Sequence, residues 1–455
     1  MRSPSRPGAG GSWLRLLNKE WRELFASRAW WVMLIVIGPL VGFAFISAVQ
    51  TYAEASGFNG SAAGVGEAFS PLDGTWAPTF SACELAAVFL LPFVAIRLVS
   101  GDVQSGALKL ELQHPMPSIA RVAAKGLVLV GGWTIASVPA LIAVLLWWGY
   151  GGSIYVPELS TVAFGHFANA NLTIALAVAS AAVTDHPATA AILTLSITVG
   201  TWIVNFVAAV HGGAWERLAA YTPTAMIAGF QHGLIRLDVL LAAACLTAAG
   251  IGLAAIWLRL GVAVRRRALE TAALAFLAVA GLAASALATR SWDTSESRRN
   301  SFPRPDEQAL AAIRQPLTIE VHLAPEDPRR VDFDRRALAK LRRVRPDVDV
   351  RYVSRTSIGL FEQTAPGYGE VWYDVGGRQA MTRAVTGEAL LETIYSLAAV
   401  APPADDDAGF GGHPLAVPPR GAALVFYGLW PAAVIAAAAA HGKRDKGQGK
   451  RQREQ

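Results

Sequence analysis

The sequence predicts an α-helical polytopic membrane protein of about eight spans, with a small α/β extracytoplasmic domain between spans seven and eight. Composition is the first reason. Of 455 residues, 53% are hydrophobic and only 16% are charged, more apolar than an ordinary soluble domain and in keeping with several spans. The second is spacing: apolar runs of hydrocarbon-core length recur along the chain. The third is a change of texture in residues 290–420, where acidic and basic residues balance, no long apolar run occurs and apolar positions alternate in short segments.

The net charge is +6. The basic residues crowd the N-terminus, residues 100–125, the Arg265-Arg266-Arg267 run and the tail from Lys443. That distribution fits membrane orientation and argues against a nucleic-acid partner. Cys83 and Cys245 both lie inside apolar runs, so small buried side chains are expected rather than a disulfide or a metal pair. The first apolar run starts late and is long enough to span, so no cleavable signal peptide is expected.

Taken in order, residues 1–12 are mostly Gly, Pro, Ser and Arg and are expected to be disordered. Residues 13–28 read as an interfacial amphipathic helix. Trp13, Leu16, Leu17, Trp21, Leu24 and Phe25 share one face, and Arg15, Lys19, Arg22 and Glu23 the other. A soluble helix packed on a partner is the alternative. Residues 29–260 then read as a six-span block. Its apolar runs cover 30–52, 80–99, 126–148, 162–183, 188–210 and 237–258. Residues 53–79 and 151–160 lack Lys and Arg and are expected outside. Residues 211–236 are too polar to span yet rich in large apolar side chains, and are expected to form one or two short helices dipping into the outer leaflet.

The seventh span is expected within residues 261–289, the extracytoplasmic α/β domain in 290–420, the eighth span in 421–441 and a basic cytoplasmic tail in 442–455. Both termini are then cytoplasmic. Within 290–420, strand 317–323, helix 331–344 and strand 347–353 form a βαβ unit. Residues 370–384 fold back as a hairpin about Gly376-Gly377, residues 388–399 form a helix, and 402–419 is a linker.

Residues 100–125 form a loop between two apolar runs. Residues 103–112 interleave Leu108, Leu110 and Leu112 with Gln104, Lys109 and Glu111, the pattern of a short amphipathic helix closed by Pro115-Met116-Pro117. It reads as the place where a separate motor protein pushes on a membrane channel. A solvated connector is the bland alternative.

The KEWRELF stretch from Lys19 to Phe25, followed by Asp102, Gly106, Leu108, Pro115, Arg121 and Lys125 after span two, resembles the permease subunits of ABC-2 type exporters over about residues 13–260. Farther on, the Ser/Glu/Arg-rich entry 293–302 and the strand Pro316 to Leu323 resemble the auxiliary subunit of gliding-motility type ABC transporters, although the segment is shorter than usual there. The resemblance implies a fusion of both halves in the bacterial inner (cell) membrane, joined near residues 261–268. It implies a dimer of permease chains above an ABC ATPase subunit that carries the ATP and Mg. It also implies an outer domain that shapes the exit or meets an envelope partner. ATPase-coupling would fall to Asp102, Gln104, Gly106, Leu108, Glu111, Pro115, Arg121 and Lys125, with the interfacial residues Trp13, Lys19, Trp21, Arg22 and Phe25 as a second contact.

This chain has no G-x-x-x-x-G-K-[ST] phosphate loop, so no catalytic residue and no cofactor is expected on it. The histidines are scattered without H-E-x-x-H spacing, which leaves no metal-site or membrane-enzyme constellation. Asp405-Asp406-Asp407 is expected to be a solvated linker, and the paired arginines from Arg329 to Arg343 a solvated helix face. Glu84 lies about one turn inside the second apolar run, where a carboxylate is costly in lipid; it is a candidate for the pathway or for an interfacial role. His166, Asn169, Asn171 and Asn205 are polar groups in apolar runs. They are expected to hydrogen-bond between helices, with lining a substrate route as the second reading. The competing function is a membrane-anchored binding or scaffold protein presenting the extracytoplasmic domain.

Overall fold

A computed structural model describes residues 9–58, 69–106, 116–211, 214–324, 327–353, 367–403 and 410–453. Among these, eight helices are long and apolar enough to cross a membrane: Arg28–Gly57, Leu72–Ser105, Ser118–Gly149, Val156–Val183, Pro187–Ala208, Leu237–Trp257, Val264–Ser285 and Leu424–Lys443, spans one to eight. The amphipathic helix α1 (Ala9–Ala26) precedes them.

The spans are not uniform rods. Span two opens on a π-wound turn, Leu72–Trp76, and is offset at Leu90 ahead of Pro92, where the missing N–H interrupts the ladder. Span three breaks at Ser137, just before Pro139; the Ser137 hydroxyl donates to the Trp133 carbonyl at 2.9 Å. Spans two and four start earlier than the apolar runs suggest, at Leu72 and Val156, because polar first turns are helical as well.

Spans one to four form the densest part of the bundle. Trp30, Phe45, Trp76 and Trp147 are fully buried there, with Trp147 edge-on to Tyr52 and Trp76 at 5.3 and 5.8 Å. Span six lies against span four, and span seven against span six. Span eight returns to span one. Gly38 and Gly42 leave a notch in span one that Trp430 and Phe426 fill, with no room for a Cβ at either position. The Trp430 indole N–H donates to the Leu34 carbonyl at 2.7 Å. In their apolar 18-residue stretches only 6% of the residues of span seven and 11% of those of span eight are buried, against 67% in span two. Their exposed Phe276, Leu277, Leu424 and Ile435 therefore suit lipid contact.

Between spans five and six the chain forms two short helices, α2 (Ala214–Ala219) and α3 (Pro223–Gln231), then strand β1 (Leu234–Arg236). The Thr222 hydroxyl caps α3 by accepting from the Ala225 amide at 3.4 Å. Strand β2 (Ser291–Asp293) pairs antiparallel with β1, a link across the chain that no sequence pattern announced.

Beyond β2 come α4 (Arg304–Ala312), β3 (Leu317–Val321) and a helical stretch α5 over residues 328–344, whose middle turn Asp334–Leu338 is π-wound. Then follow β4 (Asp349–Tyr352), the hairpin β5 (Val371–Val375) and β6 (Arg378–Thr382), and α6 (Gly387–Ala398). The sheet order is β4-β3-β5-β6, with β3 parallel to β4 and antiparallel to β5. Gly376 and Gly377 both have positive φ, 59° and 87°, as a two-residue hairpin turn requires. Leu317, Ile319, Val321, Val371, Tyr373 and Val375 alternate inward and pack against Phe333, Leu338, Leu341, Leu390 and Ile394. Helix α4 was not foreseen, since its sequence carries few apolar residues to mark a face.

The sheet unit is keyed to the bundle through residues 293–301. Arg299 pairs with Asp73 at the start of span two, and His232 lies 3.5 Å from the same carboxylate. Glu158 at the start of span four accepts from the Glu296 amide at 2.9 Å, and Thr161 meets the Thr294 hydroxyl at 2.8 Å. The returning chain is held too. The Tyr52 hydroxyl donates to the His413 carbonyl at 2.6 Å, and the Leu415 amide donates to Ser56 at 2.9 Å.

Candidate functional site

The site begins with α1. Leu17, Trp21 and Phe25 turn toward the bundle with the fully buried Leu24; Trp21 and Phe25 stack at 5.4 Å. Gly131 and Gly132 of span three make room for Trp21 and Leu24, so α1 lies flush against that span. This apolar contact carries a charged centre.

Lys125, early in span three, lies 2.7 Å from Glu20 of α1 and pairs with Asp102, late in span two. Lys19 approaches Asp102 at 3.3 Å and Glu23 at 3.1 Å. Glu20, Lys125 and Asp102 are 0%, 3% and 4% exposed. Charges so deeply buried are tolerated only when paired and hydrogen-bonded. Burial pushes the Glu20 carboxyl above its usual range, with the Lys125 ammonium opposing that rise. Three chain segments are thus tied at one point: α1, the end of span two and the start of span three. The Glu20, Glu23 and Asp102 carboxylates converge closely enough to hold a cation, but two ammonium groups already occupy that space, so the chemistry is that of an ion-pair network.

Of the sequence-derived coupling residues, Asp102 and Lys125 meet here, joined by Lys19. Arg121 is buried one turn before Lys125. Gln104 is exposed at the end of span two. The expected helix over 103–112 falls largely outside the described residues; within them, Val103 to Ser105 finish span two and Gly106 ends it with φ 74°, a left-handed residue that terminates a helix. Leu108, Glu111 and Pro115 lie outside the described residues. Trp13, Trp21 and Phe25 are half-buried and Arg22 is exposed. Glu20 escaped the sequence reading. The signal was there: it stands one helical turn from Leu16 and from Leu24, a carboxylate inside the apolar stripe.

The membrane polar groups divide. Glu84 lies about three turns into span two rather than one, because the helix starts at Leu72, and it is half-buried. Asn205 of span five accepts from Thr222 at 2.9 Å, joining that span to the cap of α3. Asn171 instead donates to the Phe167 carbonyl of its own helix at 2.7 Å, so the expectation of an interhelical bond fails there. His166 and Asn169 are both buried, and among the described residues neither has a hydrogen-bond partner.

No family model, no curated protein and no solved structure matches this chain. Fold and composition define it as a polytopic helical membrane protein.

Proposed function

We propose that this chain is the membrane-spanning permease subunit of an ABC-2 type exporter, working as a dimer and driven by a separate ATPase subunit. The observation that carries the reading is the buried ion-pair network of Glu20, Asp102 and Lys125. An external push on the exposed end of span two at Gln104 is passed through that network to α1 and span three together, so the three segments tilt as one body. Arg259, the Arg265 to Arg267 run and His441 at the end of span eight lie at span ends opposite those fastened to the sheet unit; His441 touches Phe25 of α1 at 5.9 Å. The positive-inside rule then puts α1 and both termini in the cytoplasm and the sheet unit outside the inner membrane. Long domains escape that rule, so the arginines of the sheet unit do not oppose it. Fastened to spans two and four, the sheet unit is a candidate contact for an envelope partner.

The test is copurification of the tagged full-length protein, with Gln104→Cys as a crosslinking position. Capture of a nucleotide-binding protein at that cysteine, and loss of ATP-dependent transport without loss of folding in Gln104→Glu, are expected. If no nucleotide-binding protein is recovered by either route, the permease reading fails and the membrane-anchored scaffold takes its place.

A further inference from the structure

A cavity of about 490 Å³ lies between spans two, three and four, within the range of small-molecule sites. Its walls are mainly apolar and aromatic, with Phe80, Trp133, Phe164 and Phe167 among them. None of its lining residues is Asp, Glu, Lys or Arg. Most of its hydroxyls are already engaged or peripheral: Ser137 donates to the Trp133 carbonyl and Thr134 to the Val130 carbonyl. The exception is His166. It lines the cavity, is 4% exposed, stacks obliquely on Phe80 at 5.6 Å, and among the described residues has a partner at neither ring nitrogen. An imidazole so placed inside a membrane bundle is costly without a hydrogen-bond partner, and buried polar groups are rarely left without one.

We infer that this cavity is a binding site for an uncharged amphiphile, an apolar chain bearing one hydroxyl-type group that bonds to His166. The charge-free wall selects the class. An anionic headgroup would find no cation here and a cationic one no carboxylate, and burying either unpaired is prohibitive. A pure hydrocarbon would fill the aromatic walls and leave His166 unsatisfied. The inference does not rest on energy coupling, and it holds whether or not the chain transports anything.

The cavity carries its own reporter, because Cys83 is on its wall. The only other cysteine is Cys245, so full-length Cys245→Ser in lipid nanodiscs leaves Cys83 as the single thiol. The experiment is the rate of Cys83 modification by a lipophilic maleimide, in the presence of 1-dodecanol, dodecane or dodecanoate. The alcohol is expected to slow labelling at about tenfold lower concentration than the alkane, the worth of one hydrogen bond. The fatty acid anion is expected to protect no better than the alkane. His166→Leu should erase the advantage of the alcohol, and His166→Gln, which keeps a donor and an acceptor, should retain it. Equal protection by alcohol and alkane in the parent protein would overturn the assignment of His166. Absence of protection by all three would overturn the site itself. Both results are read on the parent protein, so they stand even if His166→Leu fails to fold.

Discussion

Lys125 is the residue on which the ion-pair network turns, since its ammonium is the buried one of the two that reach both carboxylates; the more exposed Lys19 lies farther off, at 3.5 Å from Glu20 and 3.3 Å from Asp102. Lys125→Met keeps much of the side-chain volume but leaves both buried acids with only the longer contacts to Lys19. We expect a loss of about 3–5 kcal/mol in stability, seen as a lowered unfolding midpoint in detergent. Adding Glu20→Gln and Asp102→Asn to that variant removes the uncompensated charge and should recover much of the loss. Recovery of nothing would mean that Lys125 acts through packing rather than charge. Asp102 and Lys125 stood out in the sequence only through the resemblance to ABC-2 type permeases; their pairing was not legible, because it needs the end of span two and the start of span three side by side. Glu20 did not stand out, because a single acid in an amphipathic helix is ordinarily assigned to the wet face. Only tertiary packing, with span three closing over α1, turns that position into an interior one.

Among the elements, α5 carries a pH-dependent cap. The Asp327 carboxylate accepts from the Arg329 amide and guanidinium and from the Tyr368 hydroxyl at 2.8 Å. Those bonds, Arg329 first, hold its pKa down to about 2, against an ordinary 3.8. A depressed pKa contributes stability that is present above the unfolded value and is lost as pH falls from about 3.8 through about 2. Pepsin digestion across that window should therefore show cleavage within residues 317–382 rising as pH falls. Asp327→Asn should be more open at pH 5 and flatter with acid. A parent profile as flat as the variant's would remove the cap from the account. The strands of this unit were legible because their inward positions, Leu317, Ile319 and Val321, alternate strictly. The β1–β2 ribbon was not, since its three-residue strands stand far apart in the chain and its hydrogen bonds are made by backbone, which no side-chain pattern records. Span two outruns its apolar run, which stops at residue 99, because the polar turn that follows is helical as well, until Gly106 sets the backbone to left-handed and stops the helix.

At the scale of the molecule, span two is fastened at both ends: to Arg299 through Asp73 and to α1 and span three through Asp102. Asp73→Asn should loosen only the first. Protease sensitivity in residues 290–303 is expected to rise, with the thermal midpoint of the bundle unchanged; no change in cleavage would show that the hydrogen bonds of Thr294 and Glu296 suffice. Tags at Gly152 and Gly411 should be reached by impermeant reagents only from the face opposite α1, and labelling of either from the α1 face would reverse the assigned topology. Gly42→Leu puts a side chain where Phe426 packs. Overpacking of that kind costs about 1–3 kcal/mol and should separate span eight from span one, read as lost disulfide crosslinking between paired cysteines on the two spans.

That last contact has a bearing on how the chain is made. Trp430 reaches a carbonyl 396 residues upstream, and ribosomes add roughly 5–20 residues per second. Span one therefore waits roughly 20–80 s in the bilayer with its glycine notch vacant before the indole that fills it has been synthesised. During that interval whatever lies beside the nascent helix, acyl tails or the insertion machinery, must lodge there and later leave, so the closing event of biogenesis is an exchange of lipid or chaperone for tryptophan.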